Sequence, residues 1–121
     1  MRYSLLVLLL FGLLMACQNE EDINPDGTIE TNAQLVNNLP VDGCEWHFMI
    51  NHGSHTTFYL PTKATAFRVE TIIATLPKTG GAITSRVRIR YRPTSQKGQV
   101  QCGFGRIAEY DEIEIIEIRE R

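Results

Sequence analysis

Residues 86 to 92 read Arg-Val-Arg-Ile-Arg-Tyr-Arg, and no other stretch narrows so far what the chain can become. On a helix, arginines two residues apart would scatter around the axis. On a strand they share one face, because successive side chains point to opposite sides. The stretch therefore predicts a strand with Val87, Ile89 and Tyr91 turned to a core and Arg86, Arg88, Arg90 and Arg92 turned to water. Pro93 has no N–H for a ladder and is expected to end it.

A basic face beside a tyrosine raises the question of a nucleic-acid groove. Tyr91 shares the face of Val87 and Ile89, which makes its ring core rather than a stacking platform. The whole chain carries a formal charge of −2, which gives no reason to expect nucleic acid. The last apolar stretch, Glu112-Ile113-Glu114-Ile115-Ile116-Glu117-Ile118, offers the compensating charge. Ile113 and Ile115 alternate with glutamates, then the phase slips by one. A β-bulge between Ile115 and Ile116 would return Ile118 to the inner face. If the two strands are neighbours, Glu112, Glu114 and Glu117 answer the arginines, at roughly 0.2–1 kcal/mol per cross-strand pair. Arginines left over would suit an anionic surface such as lipopolysaccharide.

Further strands follow from the same period. Cys44, Trp46, Phe48 and Ile50 fall on one face of a strand, with His47 on the other. Residues 51 to 54, Asn-His-Gly-Ser, read as a turn, Thr56 to Leu60 as the returning strand, and Pro61 as its end. Phe67 to Leu76 fits two patterns. Val69, Ile72, Ile73 and Leu76 lie on a helical face, but the Val, Thr and Ile content favours strand, which is the expectation adopted. Pro77 to Gly81 is a turn. Val100, Cys102 and Phe104 form another short inward set, and Gly103 to Gly105 a tight bend.

The amino-terminal stretch assigns a delivery route. Arg2 precedes an apolar run from Leu5 to Leu14, about 10 residues long, in the proportions of a secretory signal. A membrane-spanning helix would need roughly 20. The run ends Leu14-Met15-Ala16-Cys17, which resembles a bacterial lipobox. That resemblance implies acylation of the Cys17 thiol, palmitate being the expected kind of chain, and cleavage before it. Residues 1–16 are then a signal peptide. One acyl chain holds only marginally, whereas two or three anchor firmly. Glu20-Glu21-Asp22 resembles an acidic sorting signal for the cell exterior. The expected location is the outer membrane, lipid-anchored, with surface display favoured over the periplasmic face.

The chain has three cysteines. With Cys17 acylated, Cys44 and Cys102 remain, and beyond the inner membrane such a pair is expected to form a disulfide. It would close a loop of about 60 residues and contribute roughly 4 kcal/mol. The Asn-rich segment after Cys17, with the turn signal Pro25-Asp26-Gly27, is read as a tether. The expected organisation is thus an acylated Cys and tether over 17–40 and a small β-domain over 41–121.

Catalytic and metal signals are sparse. No GxSxG, HExxH or phosphate loop occurs, no enzymatic activity or cofactor is expected, and Ser54 between His52 and His55 does not make a triad. His47, His52 and His55 fall within nine residues, and with Glu45 could hold zinc or copper. Exposed turn histidines are the reading preferred, and no metal ligand is assigned.

Asp42-Gly43-Cys44-Glu45-Trp46, Thr75-Leu76-Pro77, the Val87-to-Tyr91 strand, Cys102-Gly103-Phe104-Gly105 and the closing Ile-rich strand occur in that order. Over residues 42 to 119 this resembles a family of small, mostly uncharacterised lipoproteins of the Bacteroides group. The resemblance also implies the Cys44–Cys102 pairing. It carries no activity to transfer. The chain departs from the pattern at Glu45, where Gly is usual, and in an additional stretch from Ala64 to Thr75. The fold expected is all-β, a small barrel of five or six strands resembling the OB barrel, or else a sandwich. In an OB barrel the third and fifth strands are neighbours, so an arginine strand in third place would meet the glutamate strand. Two roles fit: a binding or accessory module of the outer membrane, working on a protein complex or a glycan, and a periplasmic metal-handling or stress lipoprotein using the histidines.

Overall fold

The computed structural model describes residues 21–121. Residues 1–16, expected to be a signal peptide, lie outside the described residues, as do Cys17 and Glu20. The elements are β1 (Asp22–Ile23), β2 (Ile29–Asn37), β3 (His47–Asn51), β4 (Thr56–Pro61), α1 (Ala66–Ile73), β5 (Ile83–Gln101) and β6 (Ile107–Glu120), with 3-10 turns at Leu39–Val41 and Gly103–Gly105. The sheet order is β1-β2-β3-β4-β6-β5, and β2 also pairs with β5. Five strands, β2 to β6, therefore close into a barrel, and β1 is added to its outside edge. Only β4 and β6 run parallel; the other neighbours are antiparallel. Counted from β2, the barrel order is first-second-third-fifth-fourth, with a helix between third and fourth. This is the OB arrangement.

The arginine strand is the start of β5, the fourth strand of the barrel rather than the third. It meets the glutamate strand as its hairpin partner, with Ile89 opposite Ile118 and Tyr91 opposite Ile115. Arg90 faces Glu117, so the register slips between Ile115 and Glu117 and Ile116 is the extra residue. The expected bulge is there, and it keeps Ile113 and Ile115 in the core. Tyr91 is buried in the same core, and burial pushes its phenol above the usual range. Pro93 does not end the strand. A second irregularity between Pro93 and Lys97 carries the chain past it, and pairing with β6 resumes to Gln101. A proline is tolerated there because the ladder is already interrupted.

Two expectations fail for a shared reason. Residues 29–37, read as tether, form β2, the strand that pairs with both β3 and β5 and closes the barrel. Its inward residues are Thr31, Ala33 and Leu35, all buried. Two of the three are small or polar, so no apolar period shows, although the positions are core. The tether reading therefore fails for this part of 17–40, and the domain starts before residue 41. The segment from Phe67, expected as strand, is α1. Its Val69 is buried, and Ile72 and Ile73 pack against the barrel core. An open barrel end needs an apolar plug, and burial there outweighs the strand preference of single residues. The Thr65 hydroxyl also accepts from the Ile115 N–H at 3.1 Å, beside the bulge, which satisfies an amide that the irregular ladder leaves over.

The turn before β2 is built on Asp26. Its Oδ1 accepts from the Thr28 N–H at 3.0 Å and from the Thr28 hydroxyl at 2.6 Å. Those bonds, the hydroxyl first, hold the carboxyl below its ordinary value of 3.8, with Arg90 adding a smaller push. A depressed carboxylate stabilises the fold above its unfolded value, and the effect is lost as pH falls through the folded value. The Thr28 amide is therefore expected to keep its exchange protection at neutral pH and lose it below pH 3.8. Asp26→Asn should show the lowered protection at neutral pH and no step. Amide exchange followed by NMR across the acid range checks this; an unchanged step in the variant would remove Asp26 as its cause.

Candidate functional site

The outer face of β3 and β4 is where OB barrels commonly bind oligonucleotides or oligosaccharides, flanked by the first and last loops of the barrel. Here that face is partly filled by the chain itself. Beyond the irregularity at Pro93, β5 and β6 continue as a hairpin arm, with Lys97 opposite Asp111 and Gln101 opposite Ile107. The Tyr110 ring of the arm stacks on Phe58 of β4 at 5.3 Å and tilts against His47 of β3 at 5.7 Å. Leu60, Val100, Cys44 and Cys102 form a second small core beneath it, with Ala108 and Tyr110 packed on. Phe58 thus spends one ring face on the chain's own tyrosine, which leaves less of it for a ligand base.

The tip of the arm is bonded to the first barrel loop. Cys44 and Cys102 are joined in a disulfide across 58 residues of sequence, as expected from the cysteine count. The glycine beside each cysteine makes the approach possible. The Gly103 N–H donates to the Gly43 carbonyl at 2.8 Å, and a Cβ on Gly103 would overlap Asp42. Asp42 takes a left-handed φ of 66° and its carboxylate lies 3.5 Å from Arg106. Phe104, expected inward, is 91% exposed and also left-handed, at φ 57°. The strand ends at the disulfide, and the bend at Gly103 to Gly105 turns the next side chain off the body. A bulky residue in that conformation costs on the order of 1–3 kcal/mol, and no buried contact offsets it.

The other sequence candidates separate. His47 is only 2% exposed, not outward to water as expected, because the arm covers the face it stands on. Its Nδ1–H donates to the Glu45 carbonyl at 2.6 Å. His52 and His55 stack at the β3–β4 turn, ring centroids 4.7 Å apart. His52 Nε2 lies 2.9 Å from the Thr57 hydroxyl, and its Nδ1 lies 3.3 Å from the Glu21 carboxylate. The three imidazoles do not converge, and among the described residues no three His, Cys, Asp or Glu side chains come together to hold a metal ion. The arginine ridge is largely neutralised. Arg90 pairs with Glu117 at 3.3 Å and Arg92 with Glu114 at 3.2 Å. Arg88 turns instead to Asp22 and Glu30, partners that the tether reading concealed. Arg86 makes no ion pair among the described residues. It borders an open concavity of about 370 Å³ shared with Asn32, Gln34, Thr56 and Arg121.

No protein-family model, curated protein or solved structure matches the chain. Function has therefore to be reasoned from these sites and not from the barrel, which serves many unrelated purposes.

Proposed function

We propose that the protein is a lipid-anchored binding or accessory module of the outer membrane that meets its partner with the loop pair joined by Cys44–Cys102. The observation that carries this is Phe104: a large apolar side chain, 91% exposed, held in a left-handed backbone on a cross-linked loop. Val41 on the facing loop is also exposed. Strain of this kind persists where function uses it. The chain's direction supports the reading. Glu21 lies beside His52 at the β3–β4 turn, and β2 runs from that end of the barrel to the loop that carries Cys44. Three residues lie between Cys17 and Glu21, so the four steps of chain reach at most about 14 Å. An anchor on Cys17 holds the β3–β4 turn near the bilayer and turns Phe104 away from it. The lipobox and the resemblance to Bacteroides-group lipoproteins support the same placement, at the cell surface.

A photo-crosslinking residue placed at Phe104 is expected to capture an outer-membrane protein in cells, and one placed at His55 is not. Phe104→Asn, which suits the left-handed backbone better, should abolish that partner's co-purification and raise thermal stability by up to about 1 kcal/mol. Equal labelling from both positions, or co-purification unchanged in Phe104→Asn, would defeat the assignment.

A further inference from the structure

Beside the disulfide lies a groove of about 340 Å³. One wall is Glu45 and Trp46, where the first loop enters β3. The other is the backbone edge of the β5 stretch Gly98 to Gln101, and Lys63 also lines the groove. Leu60, Val100 and Glu112 form the floor. The volume lies in the range of small-ligand sites.

Its walls are set before any ligand arrives. The Cys44–Cys102 bond joins the two segments directly behind the groove. The Glu45 N–H donates to the Gln101 carbonyl at 2.9 Å, so the two walls are also hydrogen-bonded to each other. Leu60 and Val100 are buried in the second core. Gly98 leaves the floor open, since a Cβ there would sit 2.9 Å from the Glu112 carboxylate and 3.1 Å from Leu60. Walls fixed in this way spare a ligand the ordering cost that weakens binding to loose loops.

The lining has a consistent chemistry. Trp46, the only tryptophan of the chain, packs against the main core, is partly exposed and lines the groove. Around it stand the carboxylates of Glu45 and Glu112 and the ammonium of Lys63, while the Gln99 and Gln101 side chains alternate with Val100, which turns into the second core, and point off the other face of the strand. None of the three charged side chains makes a hydrogen bond or ion pair elsewhere among the described residues. A carboxylate offers two acceptors and an ammonium three donors. Both match adjacent hydroxyl groups on a sugar ring, whose C–H face suits an indole. Two carboxylates against one ammonium repel phosphate and sulfate, which removes nucleic acid and acidic glycans.

We infer that this groove is a binding site for a neutral oligosaccharide, with Trp46 as the platform and Glu45, Glu112 and Lys63 as the hydroxyl partners. The inference rests on the binding-module reading and assigns it a second ligand class at a separate surface. The test is the fluorescence of Trp46 in the detergent-solubilised full chain, titrated with chitohexaose, mannohexaose and maltohexaose, with a dextran sulfate oligomer as anionic control. At least one neutral sugar is expected to shift the emission saturably. In Glu45→Ala/Lys63→Ala, both positions being exposed, the Kd should rise about tenfold or more at an unchanged melting temperature. No saturable change with any neutral sugar up to about 10 mM overturns the inference. So does preference for the sulfated oligomer, or an unaltered Kd in the double variant. Phe104 crosslinking that survives such a failure would leave the binding-module reading standing and remove the sugar site alone.

Discussion

Replacing both Cys44 and Cys102 by alanine is expected to lower stability by roughly 4 kcal/mol, the chain-entropy value for a loop of this length. The bond spans 58 residues, so it removes much of the freedom of the unfolded chain. A small domain is stable by about 5–15 kcal/mol in total, so a large share would go. At about 4–8 °C per kcal/mol for a domain near this size, the midpoint should fall by some 15–30 °C. The loss should not be uniform. The main core, built on Phe48, Ile50, Ile89, Ile113 and Ile115, does not involve the cysteines. The arm rests on a much smaller cluster around Leu60 and Val100, and its tip should open first. Thermal melts followed by circular dichroism, with amide exchange at Val100 and Ala108, check both parts. A midpoint drop below about 5 °C with the arm still protected would mean that packing alone holds it.

Cys17→Ser has the larger cellular effect. Among the described residues no helix is long and apolar enough to cross a membrane. On the reading proposed, the acyl chains on Cys17 hold the protein, and each buried CH₂ contributes about 0.8 kcal/mol. A serine hydroxyl is not the thiol that lipoprotein acylation requires. The variant should leave the membrane fraction and carry the mass of an unlipidated chain, while the parent shows the mass of a processed, acylated one. Retention of Cys17→Ser in the membrane at the precursor mass would show that the apolar run itself is the anchor, and the delivery route would have to be redrawn.

The strand content was legible wherever a strand has one wet face and one dry face. Arg86 to Arg92 and Glu112 to Ile118 could be assigned from charge and apolar alternation, even to the bulge at Ile116, because a side-chain period of two leaves a single way to keep isoleucines inside. Pairing of Cys44 with Cys102 was legible from counting alone, once Cys17 was set aside. The candidate sites were much less visible. Phe104 reads as one more inward residue of Val100-Cys102-Phe104. Only the disulfide behind it and the glycines on either side turn it out. His47 reads as an outward histidine, and the face it stands on is outward; what buries it is an arm from the other end of the sequence.

What the sequence determined by itself was therefore local: the period of each amphipathic strand, the phase slip in the last one, and the cysteines available to pair. Tertiary structure decided the rest. It made β2 a core strand although Thr31 and Ala33 carry little apolar signal, because small inward residues fit where β2 lies between two partners. It made residues 66–73 a helix because the barrel needed a lid. It folded the arm over β3 and β4, creating both the stapled tip and the groove at Trp46. Each of these depends on which surfaces meet across long sequence distances, and burial at such meetings exceeds the few tenths of a kcal/mol by which single residues prefer one backbone over another.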